Sequence, residues 1–90
     1  MKVLDELVQD IANTYINYHR YSSLFPPICI YNGATLNGHF PVIGERLRTT
    51  LQIKGVSPPS ITLSKESTPL PHHYAIDLEW FIQRYGVVLE

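Results

Sequence analysis

At 90 residues, 44% hydrophobic and 17% charged, the chain is the size of one domain; it has too few charges and too many aromatics for a disordered tail, and no repeat for a collagen-like or coiled-coil fibre. Seven basic against eight acidic residues leave a net charge of −1, so gross electrostatics announces neither a nucleic-acid nor a membrane partner. A lone cysteine, Cys29, excludes an internal disulfide and any Cys-x-x-Cys spacing, which points to a reducing, cytoplasmic setting.

From residue 3 to about residue 21, Leu4, Val8, Ile11, Tyr15 and Tyr18 follow one another at helical spacing, and Leu7, Ala12 and Ile16 widen the stripe. Glu6, Gln9, Asp10, Asn13 and Asn17 take the opposite face. Asp5 and Glu6 in the first turn, and His19 and Arg20 near the end, suit the helix dipole. The helix must stop by Ser22 and Ser23, because Pro26 and Pro27 follow. The same acidic residues interrupt the apolar run that a signal peptide would need, and no stretch approaches the ~18 apolar residues of a membrane span.

Ile28, Cys29, Ile30 and Tyr31 form a β-rich run. Asn32-Gly33 and Asn37-Gly38 are tight-turn signals, and a second strand is expected over 39–43, with Pro41 confining it to an edge. Residues 45–54 are ambiguous. Leu47, Thr49, Leu51 and Ile53 alternate with Arg46, Arg48, Thr50, Gln52 and Lys54, which is strand periodicity. Ile43, Leu47 and Leu51 are also spaced as on a helix, with Gly55 as its C-cap. The β-branched pair Thr49-Thr50 tips the reading to a strand. A short strand is expected over 61–64. A helix is expected from about His73 to Tyr85, closed by Gly86, with Val87, Val88 and Leu89 as a terminal strand or apolar tail. The expected fold class is α+β: an N-terminal helix, a three- or four-stranded mostly antiparallel sheet and a C-terminal helix in a single domain.

Few residues carry chemistry. There is no nucleophile elbow, phosphate loop or dinucleotide fingerprint, and no cofactor is implied. Cys29, between two isoleucines, reads as a small structural side chain. The adjacent His72 and His73 lack the spacing of a metal site, although together with His39 and Cys29 they are the only basis for a minimal enzyme or metal protein. The sharpest positive feature is the cationic face of the expected strand, Arg46, Arg48 and Lys54, which suits an acidic protein surface or phosphates.

Six tyrosines are the other oddity. Tyr15, Tyr18 and Tyr21 recur every three residues, so they drift around the end of the first helix and cannot all be buried. Tyrosine and tryptophan anchor interfaces well. These features point to a small non-enzymatic module that binds a larger intracellular protein, with Tyr18, Tyr21 and Trp80 as anchors and Arg46 and Arg48 as steering charges. An inhibitor or immunity-type protein of phages or mobile elements, anti-CRISPR proteins among them, is one such class. A homodimer is compatible with the expected edge strand. The alternative is a nucleic-acid-binding regulator that uses the 46–54 face.

Overall fold

A helix with one apolar face must bury it against another element. In the computed structural model, which describes residues 3–22, 24–34 and 40–85, the partner is a three-stranded sheet flanked by two further helices. The order is α1 (Val3–Tyr18), β1 (Ile28–Tyr31), α2 (Phe40–Ile53), β2 (Ile61–Leu63), β3 (Tyr74–Asp77) and α3 (Leu78–Tyr85). The stripe of α1 is buried up to Tyr15, with Leu7, Val8, Ile11, Ala12 and Tyr15 in the core and Leu4 and Ile16 at the margin, but its last expected member, Tyr18, is exposed where the helix ends.

The two strands expected over 39–43 and 45–54 are replaced by one helix over Phe40–Ile53. In α2, Ile43, Leu47, Thr50 and Leu51 are buried, whereas Glu45, Arg46, Arg48 and Thr49 are exposed. This is a 3.6-residue pattern, and burying Thr50 beside Leu47 breaks the alternation that suggested a strand. Pro41 lies in the first turn, where its missing N–H costs no hydrogen bond. The end of α2 is locked by Gly55 at φ 86°: Val56 N–H donates to the Leu51 carbonyl at 2.9 Å and Gly55 N–H to the Gln52 carbonyl at 3.0 Å. These two bonds form a Schellman motif, closed by the buried pair Leu51 and Val56. Gly44 brings α2 close to β2, since a Cβ there would stand 3.3 Å from a Leu63 methyl.

The sheet is parallel throughout, in the order β2-β1-β3, so the antiparallel expectation is wrong. The reason follows from α2. A helix between two strands carries the chain back along the sheet, so the second strand runs in the same direction as the first. Ile28, Ile30, Ile61, Leu63, Tyr74 and Ile76 share the face that meets the helices. Cys29 points the other way and is nevertheless fully buried, outside the main cluster. Right-handed crossovers leading to opposite sides of β1 must lie on opposite faces. The 64–73 connection is thereby assigned to the face that carries Cys29.

The expected last helix is also shortened. Its first residues pair with β1 as β3, and only Leu78–Tyr85 is helical. The turn at Asn37 and Gly38, His39, the stop at Gly86 and the tail of Val87, Val88 and Leu89 lie outside the described residues. No helix among the described residues is long and apolar enough to cross a membrane.

Candidate interaction surface

A parallel sheet has two unlike ends, one where its strands begin and one where they finish. Where the strands begin, the end of α1 folds over the entry to β1. Tyr15, although buried, donates its hydroxyl to the Pro26 carbonyl at 2.6 Å. Its ring lies 4.9 Å from His19, 5.6 Å from Phe25 and 5.2 Å from Tyr74. His19 stands 5.0 Å from both Tyr18 and Tyr74, and its Nδ1 is 3.0 Å from the Tyr15 carbonyl, capping the helix. Tyr74 N–H donates to the Pro27 carbonyl at 2.7 Å, tying β3 to the same corner. Burial pushes the Tyr15 hydroxyl up to about 12, with the neighbouring Tyr74 adding to it. Tyr74 is raised as well, by burial first and then by Tyr18.

On top of this fixed cluster stand side chains with little cover. Tyr18 is 75% exposed, Tyr21 93% and Leu24 78%. A buried tyrosine or leucine would remove this area from water; left out, the three side chains expose on the order of 400 Å². The largest apolar patch of an ordinary monomer is of similar size and often functional. Ile53, at the end of α2, is 81% exposed and belongs to the same end of the sheet, because the connector after it leads to the start of β2.

The opposite end is polar and internally paired. Asn32, at φ 62°, donates its side-chain amide to Asp77 Oδ1 at 2.9 Å. The same oxygen accepts the Trp80 N–H at 3.3 Å and caps α3. The Tyr31 hydroxyl is raised, chiefly by burial and then by the Asp77 charge and Cys29. Arg46, in the second turn of α2, pairs with Asp5 in the first turn of α1. Beneath that pair lies an open cleft of about 350 Å³, bordered by Gln9, Glu45 and Thr49 above Val8.

The six residues singled out from the sequence therefore do not form one surface. Tyr18, Tyr21 and Lys54 lie at the end where the strands begin. Arg46 and Trp80 lie at the other end. Arg46 contacts Asp5, thirteen residues before Tyr18 on α1 and so about 20 Å away along that helix. Trp80 is half-exposed and stacks under Arg84, whose guanidinium is 5.3 Å from the ring centroid. Arg48 is exposed on α2. At about 100° per residue, Arg46 and Arg48 are about 200° apart on the helix, so the single cationic face expected of a strand does not exist. Leu24 was missed because it follows two serines and belongs to no periodic pattern. Its signal would have been a large apolar residue inside a loop that proline ends. Among the described residues, no three of His, Cys, Asp and Glu stand close enough to hold a metal.

Comparison of the chain with family models, with curated proteins and with solved structures finds no match.

Proposed function

We propose that the chain is a non-enzymatic protein-binding module of inhibitory or immunity type, which acts by covering a functional surface of a larger partner. The observation that supports this reading is the set Tyr18, Tyr21 and Leu24, exposed within seven consecutive residues beside a cluster of the buried Tyr15 with the half-buried His19, Phe25 and Tyr74. Rigid aromatic anchors lose little conformational entropy on binding, and large apolar side chains at the centre of an interface dominate its affinity. The occlusion is steric: a partner surface that seats these side chains is closed to other ligands. Arg46 and Trp80, at the far end, are outside this contact.

The test is affinity capture from the native host, quantified by mass spectrometry, with the wild-type chain and a Tyr18→Ala, Tyr21→Ala, Leu24→Ala variant. A partner should be enriched by the wild type, lost from the triple variant and retained by Arg48→Ala. Enrichment that survives the triple variant, or no enrichment over empty resin, removes the reading.

A further inference from the structure

Charge on this molecule is sorted by end, which its near-zero total conceals. The segments that build the end where the strands begin, 15–27, 53–60 and 70–74, contain no aspartate and no glutamate. They contain Arg20, Lys54, His19, His72 and His73. The carboxylates of the described residues lie elsewhere: Asp5 and Glu6 open α1, Asp10 sits midway along it, Glu45 lies early in α2, Glu66 follows β2, and Asp77 and Glu79 join β3 to α3. Among the described residues, the exposed Tyr18, Tyr21, Leu24 and Ile53 thus belong to segments that hold cations and imidazoles and no carboxylate. Arg20 is exposed, and its guanidinium is held by Asn17, through a 2.9 Å bond from Nη2 to Oδ1, not by an acid. Lys54 is exposed just past α2.

Resting on the protein-binding reading above, we propose that this end docks an acidic protein surface: an apolar centre that seats Tyr18, Tyr21 and Leu24, ringed by carboxylates that meet Arg20 and Lys54. Complementarity of charge selects the occupant. Charges at the rim of an interface steer encounter and reject like-charged surfaces, and the apolar centre supplies the affinity. A lysine-rich partner surface would leave Arg20 and Lys54 facing like charge, with no carboxylate nearby to relieve it. Two full positive charges are too few for a phosphate backbone, whose binding scales with the number of charges placed against it. The sorting also gives the molecule a dipole, with its acidic end complementary to the docking end of another copy; head-to-tail association is therefore the internal competitor.

The test uses two synthetic 15-residue amphipathic helices with identical Leu/Trp faces, one with glutamates and one with lysines on the polar face. Each is titrated into isotopically labelled protein and followed by amide chemical shifts. The glutamate peptide should bind about tenfold more tightly than the lysine peptide at low salt. Its shifts should map to residues 18–24, 53–55 and 72–74, and the preference should shrink in about 0.5 M salt, where screening acts within a few ångströms. Arg20→Glu with Lys54→Glu, both exposed and so tolerated by the fold, should reverse the preference. Equal affinity of both peptides at this surface overturns the acidic partner but leaves the protein-binding reading. Binding of neither peptide there overturns both. Shifts at these residues with phosphatidylserine vesicles and with neither peptide assign the surface to a membrane. Concentration-dependent mass in light scattering that Lys54→Glu abolishes, with no peptide preference, assigns it to a second copy; both results overturn the proposal.

Discussion

The two ends of the sheet handle exposed side chains in opposite ways. Where the strands finish, polar groups answer one another: Asn32 with Asp77, Asp77 with the α3 backbone, Arg46 with Asp5. Where they begin, one tyrosine hydroxyl is turned inward onto a carbonyl, and large apolar side chains face water. Among the described residues, the first end pairs its polar groups within the chain, whereas the second leaves Tyr18, Tyr21, Leu24 and Ile53 facing water. The difference teaches that rigidity and exposure can be combined. Tyr18 is held out on the last turn of a helix that Tyr15 and Tyr74 anchor, so its exposure is built into the packing, and Tyr21 stands in the turn just beyond it.

Removing the anchor should have the largest effect. Tyr15→Ala should destabilise the chain by about 3–5 kcal/mol in urea unfolding, since a fully buried aromatic is lost along with its hydrogen bond. A loss below about 1 kcal/mol would mean that the aromatic corner does not support the fold.

Alkali is a gentler way to break the same corner. The folded chain holds the Tyr15 proton up to about 12, above the ordinary value of 10.0 in the unfolded chain, and Tyr74 is shifted the same way. Stability is therefore fully present below pH 10 and should fall as the pH rises from 10 towards 12. Hydrogen exchange should speed up first around 15–27 and later around 77–80. Tyr15→Phe should flatten the decline; an unchanged slope would remove Tyr15 as its source.

At the opposite end, Asp77→Ala should cost about 0.5–2 kcal/mol by uncapping α3 and freeing the Asn32 amide. Its measure is faster amide exchange at the start of α3, with 15–27 unchanged. The smallest effect belongs to the exposed patch. Tyr21→Ala should change stability by less than about 0.5 kcal/mol, because the side chain is 93% exposed. A larger loss would mean that Tyr21 packs within its own chain, and the contrast between the ends would narrow.

Several features were readable from residue order alone. The stripe of α1, the strand at Ile28–Tyr31, the strand at Ile61–Leu63 and the impossibility of burying Tyr15, Tyr18 and Tyr21 together all follow from local spacing, and local spacing is a property of neighbouring residues. Residues 40–53 were not readable in this way. Ile43, Leu47 and Leu51 satisfy both periods, and only the burial of Thr50, with Thr49 and Ile53 exposed, selects the helix. From that choice the parallel sheet follows, and Ile28, Cys29 and Ile30, buried without alternation, were a sign of it. Tyr74–Asp77 is a strand because β1 lies beside it, and that neighbour is some forty-five residues earlier in the chain, as Asn32 and Asp77 illustrate. The docking end is of the same kind. Tyr18 and Tyr21 were legible singly, but Arg20, Lys54, His72 and His73 come from three separate connections. Strand direction alone brings them together, and direction depends on whether the intervening segments reverse the chain.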